Sequence, residues 1–230
     1  MIDQLTAYIE SPRYQLDLCA TQQIWAGSEI LGTAGIFMFL SYLTIPRLTT
    51  VQPIAGESRV HSMRMGLESE REKRFLLRLL GLSKENGWMG GIRNSRVRDM
   101  IVRLAGNHLQ FAGMQPDYIS YFASIIALSV LRVHATRSTH LQSELIARYW
   151  TYIQHALSLL GITLAAPTVV QADCESFISK YTSADEAGRR LLETLWNVYP
   201  GYMAKAMPVL FSQTRLIVIS MLEELRDRVS

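Results

Sequence analysis

YISYFASIIALSVLRVH, residues 118–134, is apolar almost all the way round a helical wheel. A helix without a polar stripe has to be surrounded by others, so this segment predicts the central helix of an all-α fold. Strand signals elsewhere are poor, because alternating runs and hairpin dipeptides are few. Helical periodicity, by contrast, recurs along the chain.

Upstream of that centre, NSRVRDMIVRLAGNH (94–108) predicts a helix over 95–106, with Asn94 or Ser95 as its N-cap. The turn from Gly113 to Asp117 separates the two, and Pro116 suits a first helical position. WMGGIRNS (88–95) reads as a glycine-bearing connector. Before it, a charged helix near 67–81 ends at Gly81; Leu76, Leu77 and Leu80 form its buried side, and Glu70, Lys73 and Arg74 its helix-spaced charges. The N-terminal part predicts a short helix over 2–10, interrupted by Pro12, and an apolar helix over 21–43, ended by Pro46. Downstream, a helix over 141–160 is closed by Gly161, and three more are expected near 174–181, 184–198 and 208–228. Pro200 and Pro208 punctuate this C-terminal third. With no repeat and no long linker, residues 1–230 read as a single domain, a multi-helix bundle.

Composition narrows the function. The chain has 230 residues, 49% hydrophobic and 19% charged, which is enough for a substantial core and excludes disorder. A net charge of +3 gives no general affinity for nucleic acid. Between Arg59 and Arg103, however, eleven basic residues face five acidic ones. That excess reads as a solvated helix face, or as a surface for acidic lipid, a cofactor carboxylate or a partner. Cys19 and Cys174 lack metal-ligand spacing and suit a reducing compartment, so a cytoplasmic location is expected. The alternative is membrane association through residues 30–46, an apolar, small-residue run at the lower limit of a span. A buried core helix is the preferred reading of that run.

Motifs exclude more than they establish. The histidines are His61, His108, His134, His140 and His155; none forms HExxH or an ExxH pair. No P-loop, GxSxG elbow or GxGxxG is present. Val97, Ile101, Leu104 and His108 fall on one helical face, while Arg96 and Arg103 share another and Arg98 lies on a third. An internal arginine would need an anionic partner, either Asp99 or a ligand carboxylate or phosphate. His134 sits near a helix C-terminus, where the dipole alone accounts for it. Glu144, Arg148, Thr151 and His155 share a face that reads as the wet side of its helix, opposite Leu145, Tyr149, Ile153, Ala156 and Leu160.

The order RVRDMIVRLAG, QPDYISYFASIIALSVLR, SELIARYWTYIQHALSLLG resembles the central portion of the rubber (latex) oxygenase and MpaB-type oxygenase family, over about residues 90–165. The resemblance implies a loosely globin-like all-α core that binds haem b and oxidises a hydrophobic small molecule. The family's arginine pair maps onto Arg96 and Arg98. Its proximal haem histidine maps onto Ile101, which cannot ligate iron. The resemblance therefore leaves His108, two turns along the same face, as the expected iron ligand, with His134 as the alternative. Arg96, Arg98 and Arg103 would neutralise haem propionates or polarise bound oxygen. The competing expectation is a non-catalytic ligand-binding or interaction protein that keeps the fold without haem.

Overall fold

Three prolines open helices in this chain rather than close them. The computed structural model describes residues 2–27, 30, 34, 74–109, 116–137 and 139–181. Helix α1 covers Ile2–Glu10 and α2 Pro12–Ile24; a 3-10 turn at Gly91–Arg93 leads into α3, Ser95–Leu109. Then follow α4, Pro116–Thr136, α5, Ser143–Ser158, and α6, Pro167–Tyr181. The fold is all-α, and no strand occurs among the described residues. Pro12, Pro116 and Pro167 each stand at the first helical position, where the missing N–H is one that a helix leaves unpaired anyway.

That rule corrects the expectation at Pro12. Ser11 is the N-cap, its hydroxyl accepting from the Tyr14 N–H at 3.4 Å, so the proline starts a helix that the sequence reading omitted. The expected 21–43 helix is corrected too. Helix α2 stops at Trp25, whose N–H returns to the Thr21 carbonyl, and Gly27 then takes φ 104°. Ile30 and Ala34 are helical and Ala34 is fully buried; the rest of residues 30–46 lies outside the described residues. So do the expected helices at 184–198 and 208–228. Helix α6 begins at Pro167 rather than near 174.

The charged helix is described from residue 74, and its end follows the expected glycine cap. Gly81 has φ 68°, its N–H reaches the Arg78 carbonyl, and the Leu82 N–H reaches back to Leu77 at 2.7 Å. Its buried side is Leu76, Leu79 and Leu80; Leu77 is only partly covered.

Helix α4 is the internal helix its composition demanded: Ile125, Ile126, Ala127, Leu128 and Val130 are all buried. Residues Asp117–Ala135 are long and apolar enough to cross a membrane by length and composition, yet 65% of the apolar window is buried within the protein. Among the described residues the most extensive interface lies elsewhere, between α2 and α5. Tyr14, Leu18, Ile24 and Trp25 meet Tyr149, Tyr152, Ile153 and Ala156 in that part of the core. Helix α6 packs on α4, where Phe177 stacks on Tyr121 with ring centroids 4.4 Å apart. Two α5 side chains pin the chain between α5 and α6. Trp150 Nε1 donates to the Ala165 carbonyl and Gln154 Nε2 to that of Leu164, both at 2.8 Å.

Candidate functional site

The α2–α5 interface ends on the glycine connector, and two tyrosine hydroxyls hold it there. Tyr14 accepts a hydrogen bond from the Arg93 N–H at 3.0 Å and donates to the Gly90 carbonyl. Tyr152 accepts from the Ile92 N–H at 3.2 Å and donates to the Leu79 carbonyl at 2.7 Å. Gly91, at φ 58°, passes directly beneath both hydroxyls, and a Cβ there would collide with Tyr152. Burial raises the pKa of both phenols, so they stay protonated and act as fixed donors and acceptors rather than bases. Tyr152→Phe leaves the Ile92 N–H and Leu79 carbonyl buried without their partner. A loss of about 2–3 kcal/mol in a denaturant titration is expected.

Beside these tyrosines lies an ionic cluster centred on Asp17, whose side chain has no exposed surface. Tyr8 donates to its Oδ2 at 3.2 Å, and Arg13 Nε lies 3.5 Å from the same oxygen. Arg148 Nη1 is 3.8 Å from Oδ1, which has no hydrogen-bond partner among the described residues. Arg148 also chelates Glu144 with Nε and Nη2, and Arg13 donates to Thr151 Oγ1 at 3.2 Å. The Tyr8 ring stacks on His155 with centroids 3.7 Å apart and planes 13° from parallel. Desolvation raises the Asp17 pKa, against the lowering effect of the Tyr8 hydroxyl and the two guanidiniums. Desolvation also lowers that of His155, with Asp17 opposing and Arg13 assisting. The expected wet face is thus wet only at Glu144, which is exposed; Arg148, Thr151 and His155 are the seat of α1 and α2. Sequence reasoning missed Tyr8, Asp17 and Arg13 altogether. The available signal was the helical spacing of Arg13 and Asp17, i and i+4, in a segment not read as a helix.

Of the residues singled out on α3, Arg98 has local partners. Arg98 Nη1 donates to the carbonyls of Ile92 and Arg93, both at 2.8 Å, and so caps the 3-10 turn. Asn94 is the N-cap: its Oδ1 accepts from the Arg96 N–H, and its Nδ2 donates to the Gly87 and Met89 carbonyls. Arg96 is exposed, with its guanidinium over Gly87, and Arg103 is exposed on the same outer face. Val97 and Ile101 are buried, Ile101 to 1% exposure. Helix α3 runs past Gly106 to Leu109, so His108 keeps its register on the Val97–Ile101 face; its side chain lies outside the described residues.

His134 is buried at the end of α4, with Nε2 2.9 Å from the Ile24 carbonyl. A carbonyl only accepts, so Nε2 carries the proton and closes the C-terminus of α2. Its Nδ1 is buried with no hydrogen-bond partner among the described residues. These residues do not fit a haem site on the family's register. An aliphatic side chain occupies the ligand position, one donor of Arg98 is engaged by backbone, and the arginines Arg96 and Arg103 point outward. Among the described residues, no group of three or more His, Cys, Asp or Glu side chains is arranged to hold a metal ion.

Fold and site together define an all-α protein in which buried polar side chains fasten helix ends and connectors. No family model, no curated protein and no solved structure matches this chain.

Proposed function

We propose that this chain is a helical ligand-binding or interaction protein that engages an apolar molecule without holding haem through α3. The observation that carries the reading is the setting of Ile101. It stands at the position the oxygenase resemblance assigns to the iron ligand, and it is packed in the core beside Val97. Arg98, offered by the same resemblance to a propionate or to oxygen, is bonded to two carbonyls of its own connector. The apolar character of the molecule rests on the resemblance, since the hydrophobic side chains of α4 are taken up by the core.

A second reading, the haem-dependent oxygenase-like protein, has one observation in its favour. Helix α3 continues through residue 108 on the face that carries Val97 and Ile101. If haem binds, His108 would hold its iron and the haem would supply the oxygen chemistry.

Haem titration of the purified full chain separates the two. The expected result is no Soret band beyond that of free haem, and no iron retained by the protein once free haem is removed. A stoichiometric Soret band that is lost in His108→Ala would overturn the proposal in favour of the oxygenase-like reading.

A further inference from the structure

The connector that leads into α3 is tied down by its backbone and bare at its tip. Tyr14, Tyr152 and Asn94 bond its backbone at Gly87, Met89, Gly90, Ile92 and Arg93. Yet the Met89 side chain is 62% exposed, the most exposed large hydrophobic among the described residues. Beside it the Trp88 side chain is half-buried, with the Arg78 guanidinium 3.8 Å from its ring centre. Single exposed apolar side chains are ordinary on protein surfaces. A thioether held out on a fastened loop among cations is a narrower arrangement.

The cations come from both flanking helices and from the loop itself. Arg96 lies with its guanidinium over Gly87, and Arg93 rests on the Tyr14 ring and the Ile9 carbonyl. Neither pairs with a carboxylate among the described residues, and Lys84 is exposed at the start of the loop. Arg74 and Arg78 share one carboxylate, Glu85. From Arg74 to Arg103 seven basic side chains stand against two acidic ones, Glu85 and Asp99. The surface around Met89 is therefore net positive, even with Glu10 at its margin beside Ile9.

We infer that this connector is a peripheral contact for an anionic lipid bilayer, in which Met89 enters the boundary between headgroups and acyl chains while Lys84, Arg93 and Arg96 meet the anionic headgroups. Stable attachment to a bilayer takes two signals, an apolar insertion and a basic patch, and the loop carries both. Each cation near an anionic leaflet strengthens binding about fivefold. Because Tyr14, Tyr152 and Asn94 already fix the backbone, presenting Met89 carries little ordering cost. Trp88 is a residue type that favours the bilayer interface. The Arg78 guanidinium covers a ring face that a nucleotide base would need for stacking. An acidic polymer would use the cations but has no apolar layer to receive Met89.

Co-sedimentation of the full chain with lipid vesicles tests this. Phosphatidylcholine vesicles with about 30% phosphatidylserine should bind it at about 0.1 M salt, and about 0.5 M salt should release most of it. Pure phosphatidylcholine should bind it about tenfold more weakly or less. Lys84→Gln combined with Arg96→Gln should weaken binding to the anionic vesicles about 30-fold. Met89→Ser should weaken it a few-fold, and Met89→Trp, at a position already exposed, should tighten it. Val169→Ser, at an exposed apolar position on α6, should leave binding unchanged. Absence of binding to the anionic vesicles overturns the inference. So does binding that either Met89→Ser or the double substitution leaves unaltered, or equal binding to pure phosphatidylcholine. Retention on polyglutamate or an oligonucleotide without vesicle binding assigns the cations to an acidic polymer and overturns it as well.

Discussion

Gly91→Ala is expected to be the most damaging small substitution in the described structure, costing about 3–5 kcal/mol of stability. Two effects add. At φ 58° a residue with a Cβ is strained, by about 1–2 kcal/mol. The new methyl would also collide with the Tyr152 hydroxyl and crowd Tyr14 and Leu18, displacing the bonds that fix Ile92, Arg93, Gly90 and Leu79. The neighbouring glycine separates the two effects. Gly90 has φ 91° but nothing within 4 Å of where a Cβ would stand. Gly90→Ala should therefore cost only the backbone strain, about 1–2 kcal/mol. Chemical denaturation of both variants beside the parent checks the difference. Equal losses would mean that the tyrosine hydroxyls do not hold this connector.

Ile101→His places a histidine where the oxygenase resemblance expects one, and the expected result is damage rather than haem binding. Ile101 is 1% exposed, so the imidazole loses the apolar packing of isoleucine and brings polar nitrogens into the core. A destabilisation of about 2–4 kcal/mol follows from lost burial and unpaired polar atoms. Thermal unfolding with and without haem measures both consequences. A variant that unfolds at the parent temperature and acquires a stoichiometric haem spectrum would show that a haem-sized space adjoins this face. That outcome would tie α3 to the oxygenase fold, with Ile101 as the reason that the natural chain does not hold haem there.

How far the sequence reached is plain from its prolines and arginines. Pro116 was readable as a helix start because a turn and a long apolar run flank it. Pro12 was read as an interruption, although Ser11 before it supplies the same N-terminal chemistry that Asn94 supplies to α3. The arginines of residues 94–108 invited an anionic ligand because local patterning shows only which face a side chain leaves from. Arg98 finds its acceptors in the carbonyls of Ile92 and Arg93, within its own connector. The polar face of α5 beyond Glu144 was misread for a related reason. Its partners, Tyr8, Arg13 and Asp17, lie more than a hundred residues away in sequence, and no periodicity within α5 announces them.

By itself the sequence determined the all-α class, the inward position of the helix at 118–134, the cap at Gly81 and the start of α3 at Asn94 or Ser95. Each is a local property: a hydrophobic period, a positive-φ glycine, or a side chain that bonds its own backbone. The tertiary structure alone decided that α2 and α5 form the main interface and that Asp17 is buried between two arginines. It also decided that His134 closes α2 and that two tyrosines clamp Gly91. Those outcomes depend on which distant backbone groups remain unpaired when helices meet, and a buried polar group bonds whichever neighbour the fold brings within reach.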